Sequence, residues 1–84
     1  MSELKSAFDA AVAGAHELSQ RPDNMTLLKL YGLFKQSTDG DNTTPKPGFS
    51  DLVGRAKWDA WTALKGTSQT DAMQRYIDLV ESLS

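Results

Sequence analysis

Cysteine is absent from the 84 residues, which excludes disulfides, thiolate metal sites and a thiol nucleophile. Histidine occurs once, as His16, and the position one helical turn on carries Gln20 rather than a second metal ligand. No Ser–His–Asp spacing is present, and no glycine-rich loop opens a helix as a phosphate cradle. The acidic residues stand singly, with nothing to force two carboxyls into one apolar cleft for acid–base work. These absences leave enzymatic chemistry almost without support. An excess of positive charge is lacking too: 9 Lys and Arg against 11 Asp and Glu give a net charge of −2. That balance argues against a general nucleic-acid binder, although a local basic cluster remains compatible with it. No apolar run approaches the ~20 residues of a membrane span. The start, Met1-Ser2-Glu3-Leu4-Lys5, has neither the basic opening nor the apolar stretch of a secretory signal. A soluble, cytoplasmic protein without stable membrane insertion is the expectation.

What the chain does have is enough apolar residue, 39%, to build one core, against 24% charged. A chain this short supports one domain, here residues 1–84. A domain this small that folds without staples is most easily a helical bundle.

Four helical segments follow from apolar spacing. Leu4, Phe8, Ala11, Val12, Ala15 and Leu18 recur at threes and fours, with Arg21-Pro22-Asp23-Asn24 as the stop. Asp23 or Asn24 then caps a second helix with a broad apolar band: Leu27, Leu28, Leu30, Tyr31, Leu33 and Phe34. Gly32 inside that band costs about 1 kcal/mol against alanine, which points to a close approach by another element. From Thr38 to Gly48 the composition is turn chemistry. A connection of about a dozen residues exceeds the ~2–8 usual in bundles, so the helices beside it need not be antiparallel neighbours. The third helix is expected over about Asp51 to Leu64, with Gly66 as its stop. Thr67 or Ser68 caps the fourth, Ser68-Gln69-Thr70-Asp71 having capping-box spacing, and its stripe is Met73, Tyr76, Ile77, Val80 and Leu83.

Two blocks combine rings with cations. Tyr31 and Lys35 are four residues apart on one helical face, with Leu28 one turn earlier. Such a ledge offers an apolar floor, a ring and a charge to an anionic ligand. Equally, aromatic stripes are ordinarily core, with the lysine as a solvated rim. Lys57 stands beside Trp58 and Trp61. Its stem can lie over indole with the ammonium in water, or the ammonium can serve as a point-charge partner for phosphate. At least one tryptophan is expected in the core, and the other is free to rim a site. His16, near a helix end, reads as a surface or cap residue.

These blocks, in this order and spacing, resemble the acyl-CoA-binding protein family. The resemblance rests on Leu30-Tyr31-Gly32-Leu33-Phe34-Lys35-Gln36-Ser37-Thr38, Gly40-Asp41 and Pro47-Gly48. It continues through Gly54-Arg55-Ala56-Lys57-Trp58-Asp59-Ala60-Trp61, Leu64-Lys65-Gly66-Thr67-Ser68, Asp71-Ala72-Met73 and Tyr76-Ile77, spanning about Phe8 to Val80. It implies an all-α, four-helix up-down-down-up bundle with a long crossover loop between helices 2 and 3. It further implies a monomeric intracellular carrier of long-chain acyl-CoA thioesters that performs no chemistry and needs no cofactor or metal. Under the resemblance, Tyr31 and Lys35 fall on ligand-contacting positions, Lys57 on the lysine that pairs with the ribose 3′-phosphate, and Tyr76 on a ligand-facing tyrosine. Phe34 takes a place often held by tyrosine, keeping a ring for adenine and losing a hydroxyl. Leu28 and Val12 map to the surface along which the acyl chain lies. His16 and Val53 replace basic side chains common in the family. His16 therefore contributes charge only when protonated, in mildly acidic solution. A helical protein-interaction module is the alternative reading, disfavoured by the joint presence of Tyr31, Lys35, Lys57 and Tyr76.

Overall fold

A computed structural model of the chain describes residues 2–84. It contains four helices: α1 (Glu3–Ala15), α2 (Asn24–Asp39), α3 (Leu52–Thr62) and α4 (Gln69–Leu83). Each begins at a short polar side chain that accepts a hydrogen bond from a backbone N–H otherwise left without a partner. Ser2 accepts from Lys5 N, Asp23 from Thr26 N, Asp51 from Gly54 N and Ser68 from Asp71 N. Of the two caps considered for α2, Asp23 is the one used, and Ser68 caps α4.

The pairing of residues along the helices fixes their directions. Phe8 packs on Tyr76, Gly14 faces Val80, and Leu18 shares a groove with Ser84, so α1 and α4 run parallel. The start of α4 meets the end of α2, where Gln36 Nε2 donates to Thr67 O and Gln69 Nε2 to Thr38 O, so these two are antiparallel. Leu28 lies beside Ala56 and Gly32 against Ala60, which makes α2 and α3 parallel. The topology is therefore up-down-down-up, as the family pattern implies. The core joins α1, α2 and α4 through Phe8, Leu30, Leu33, Ala72, Tyr76, Ile77 and Val80. Helix α3 attaches on the other side of α2, at Gly32. A Cβ there would stand 2.6 Å from Ala60 O and 2.9 Å from Ala60 C. This is the close approach that the glycine's helix cost suggested.

Parallel neighbours need a long return, and the segment between Gly40 and Asp51 supplies it. Two indoles hold it down. Trp61 Nε1 donates to Gly40 O at 2.8 Å and Trp58 Nε1 to Thr44 O at 3.0 Å, while Asn42 Nδ2 reaches Thr62 Oγ1 at 3.0 Å. Trp61 is buried and Trp58 half-buried, with Lys46 Nζ 5.5 Å from the centre of a Trp58 ring. Trp58 thus anchors the crossover rather than rimming a site.

Two helix ends differ from the sequence expectation. Helix α1 stops at Ala15, well before Pro22, because the chain tightens into a turn in which Glu17 N donates to Gly14 O. Proline sets only the outer limit of a helix. Leu18, counted in the stripe of the first helix, lies beyond its end and still packs toward α4. Helix α3 stops at Thr62, two residues before Leu64, and unwinds through turns to Gly66, whose φ of 89° is the left-handed conformation that favours glycine.

Candidate functional site

Tyr31 projects from the middle of α2 between two surface grooves, and every other expected contact residue except Lys35 lines one or the other. The first groove, about 370 Å3, is lined by Val12, Ala15 and His16 from the end of α1, by Tyr31 and Phe34 from α2, and by Tyr76 from α4. The second, about 410 Å3, lies between the N-terminal halves of α2 and α3 and is lined by Leu27, Leu28, Tyr31, Val53, Ala56 and Lys57, with Arg21 at its edge. Leu27 lines both and stands one turn before Tyr31. The parallel run of α2 and α3 produces the second groove, since it sets Leu28 beside Ala56 and Tyr31 beside Lys57.

The electrostatics centre on the same ring. Lys57 Nζ lies 5.3 Å from the centre of the Tyr31 ring, within cation–π range. Lys57 is exposed, so its ammonium reaches solvent, whereas Tyr31 is half-buried. Such a pair sets an aromatic surface and a point charge side by side. His16, the C-cap of α1, is exposed on the rim of the first groove.

Lys35 sits apart from both grooves. Its ammonium pairs with Asp39 at 2.6 Å and lies 4.9 Å from the centre of a Trp61 ring. The hydrogen bond to Asp39 pushes the Lys35 pKa upward, with partial burial opposing it, so the side chain stays charged while its partner offsets that charge. Phe34 and Tyr76 form an aromatic cluster with Phe8: ring centres are 6.1 Å apart for Phe8–Phe34, 5.2 Å for Phe8–Tyr76 and 6.5 Å for Phe34–Tyr76. Tyr76 is buried, and that burial raises its pKa, keeping the phenol neutral. Its place on the groove wall is therefore mainly structural in this state, while Phe34 is 36% exposed and open to a ligand.

Val12, His16, Tyr31, Phe34 and Tyr76 thus share one groove, and Leu28, Tyr31 and Lys57 share the other. Sequence reasoning passed over Leu27, Arg21 and Ala56. Leu27 was findable from its spacing to Tyr31; Arg21 and Ala56 come into the site only through helix placement. No group of three or more His, Cys, Asp or Glu among the described residues is placed to hold a metal ion. Among those residues, no helix is long and apolar enough to cross a membrane.

Residues 5–80 match the family model described as Acyl CoA binding protein. The chain is 54% identical over 77 residues to Acyl-CoA-binding protein homolog 1 of Caenorhabditis elegans, covering 92% of this chain and 90% of that one. It is 50% identical over 76 residues to the Acyl-CoA-binding protein homolog of Drosophila melanogaster, covering 90% and 88%. The crystal structure of Oryza sativa Acyl-CoA-Binding Protein 2 superposes with a TM-score of 0.91 at 42% identity, over 95% of this chain and 87% of that one.

Proposed function

This chain belongs to the acyl-CoA-binding protein family, and from that membership and the grooves beside Tyr31 we infer that it binds long-chain acyl-CoA thioesters and carries them unchanged. The family is one of binding proteins rather than enzymes, and the carrier reading needs no cofactor or metal. The observation that carries the assignment to these residues is the Tyr31–Lys57 pair between two apolar grooves. In the reading we propose, Lys57 holds the ribose 3′-phosphate, and Arg21 at the same groove edge adds charge. Tyr31 and Phe34 receive the flat adenine, and Tyr76 backs them. Lys35 reaches the anionic headgroup by exchanging Asp39 for the ligand. Leu28 and Val12 border the acyl chain, and His16 strengthens the headgroup site when protonated. Residues 1–84 act as one acyl-CoA-binding domain, monomeric, in the cytoplasm, with no role for nucleic acid.

The ligand's two halves contribute differently. Burying a hydrocarbon contributes about 0.8 kcal/mol per methylene, so about fourteen of them supply about 11 kcal/mol before ordering costs. That is close to the ~12 kcal/mol of nanomolar affinity. The chain therefore supplies most of the affinity, while the few cation and ring contacts select CoA over free fatty acid. Calorimetric titration with acyl-CoAs, free CoA and free fatty acid tests this. The expected order is acyl-CoA far above either fragment; fatty acid binding as tightly as its CoA ester would overturn the headgroup assignment.

A further inference from the structure

Lys35 and Lys57 are the two lysines assigned to the ligand, and the fold holds them differently. Lys57 makes no ion pair among the described residues, whereas Lys35 Nζ stands 2.6 Å from Asp39 Oδ2. Helix stability does not account for Asp39. It is the last residue of α2, where the negative end of the helix dipole disfavours an anion. It also follows Lys35 at i+4, the weaker of the two orders for such a pair. The carboxylate therefore adds little to the helix, and what it achieves is to occupy a cation. The surroundings favour that pairing. The Lys35 side chain is 28% exposed against 48% for Asp39, and its ammonium also lies 4.9 Å from the centre of a Trp61 ring. Trp61 is itself held, being buried, with its indole N–H bonded to the carbonyl of Gly40, the residue after Asp39. Cation and carboxylate thus meet at the end of α2, at a corner outside both grooves beside Tyr31.

We propose that Asp39 is an internal competitor for the ligand: it holds Lys35 in the empty protein, yields it to a phosphate of the headgroup, and takes it back as the ligand leaves. The proposal rests on the assignment of Lys35 to the headgroup and deepens it, because it gives a part in ligand release to a residue with no ligand contact of its own. Four residues away on the same helix, Asp39 is present at high effective concentration whether or not ligand is bound. A phosphate therefore gains from Lys35 only what exceeds the existing pair. Binding is weakened by that difference. In a carrier the weakening shortens the residence time, which is where affinity differences between related complexes mostly fall. A partly exposed pair of this kind is worth up to about fivefold in an equilibrium constant.

Asp39→Asn keeps the size of the side chain and removes its charge, at an exposed position that leaves the core untouched. The test compares the parent, Asp39→Asn, Lys35→Met and the double variant, with circular dichroism to check that each folds. Hexadecanoyl-CoA binding is measured by calorimetry, and its release by stopped-flow, at about 0.15 M salt to screen distant charges. Asp39→Asn should bind about two- to fivefold more tightly and release the ester more slowly by about the same factor. Lys35→Met should bind more weakly than the parent, and adding Asp39→Asn to it should change nothing. Unchanged or weaker binding by Asp39→Asn overturns the competitor role and leaves the acyl-CoA reading intact. Equal tightening in both backgrounds also overturns it, since Asp39 would then act as a general repulsive charge rather than as the partner of Lys35. Parent-like affinity in Lys35→Met removes Lys35 from the site, and the proposal with it. A parent that binds no ester overturns the acyl-CoA reading itself.

Discussion

Replacing Gly14 and Gly32 with alanine makes the same chemical change in two helices and should move stability in opposite directions. In a helix interior alanine is favoured over glycine by about 1 kcal/mol, largely because glycine has more backbone freedom to lose. At Gly14 the new Cβ would stand 4.0 Å from Val80 Cγ1, an ordinary van der Waals contact. Gly14→Ala should therefore stabilise by about 0.5–1 kcal/mol. At Gly32 the Cβ would meet Ala60 O at 2.6 Å, Ala60 C at 2.9 Å and Trp61 N at 3.3 Å. All three atoms are backbone, so no rotamer change relieves the contact and α3 itself has to move. Overpacking costs about 1–3 kcal/mol, and a rigid obstacle places this site at the upper end. Subtracting the ~1 kcal/mol propensity gain leaves Gly32→Ala destabilised by about 2 kcal/mol. In a domain of this size that lowers the melting temperature by about 8–16 °C, while Gly14→Ala raises it by about 2–8 °C. Thermal and urea denaturation followed by circular dichroism reads both. Acyl-CoA titration below either transition gives a second readout, because shifting α3 carries Lys57 and Ala56 away from Tyr31. Gly32→Ala should bind more weakly and Gly14→Ala should bind as the parent does. A Gly32→Ala protein as stable as the parent would refute the view that the α2–α3 contact is too tight to admit a methyl group.

Lys57→Ala, at an exposed position, should leave the melting temperature unchanged and weaken acyl-CoA binding by about 10- to 100-fold, the worth of a charge-assisted hydrogen bond. Unchanged affinity by calorimetry would remove the phosphate role. Trp61→Phe leaves the half-buried Gly40 O without its indole donor; urea denaturation should show a loss of about 1 kcal/mol, and equal stability would remove the crossover-anchor role. Asp41 accepts from Gly66 N at 2.9 Å and from Gln36 Nε2 at 2.8 Å, and these bonds hold its carboxyl below its ordinary pKa of 3.8. A lowered folded-state value means the Asp41 contribution is fully present above that ordinary value and is lost as pH falls through the folded one. Asp41→Ala should thus be less stable than the parent at neutral pH, and the gap should close on acidification below the folded value. A gap independent of pH in melting curves would contradict this.

The elements most legible in the sequence were those set by near neighbours in the chain. The caps of α2 and α4 were narrowed to two adjacent residues each, and the structure selects Asp23 and Ser68, each of which accepts from a backbone N–H three residues on. Gly66 was readable as a stop because its conformation is costly for other residues. Lys35 shows the limit of that reading. Its spacing to Tyr31 suggested a shared ledge, yet its ammonium turns to Asp39 and Trp61, and only Tyr31 reaches the grooves. The end of α1 was misplaced for a related reason: Pro22 forbids helix beyond a point but does not say how much sooner the chain turns. The tryptophans carried a periodicity that marked them as packing residues. Their indole N–H groups found carbonyls 14 and 21 residues away, in a loop whose path no helical period describes.

By itself, then, the sequence determined four helices with candidate caps for two of them, a crossover long enough to join parallel neighbours, and a set of rings and lysines matching one family. Those properties depend on contacts within about a turn of helix, or on residue identities that survive without coordinates. Tertiary structure alone decided that Tyr31 stands between two grooves and that Lys57 faces it across α2 and α3. The reason is geometric. A groove is made by side chains from different helices, and its shape depends on how closely those helices approach. Here one missing side chain, at Gly32, lets the α2 and α3 backbones meet and sets the width of the space on either side.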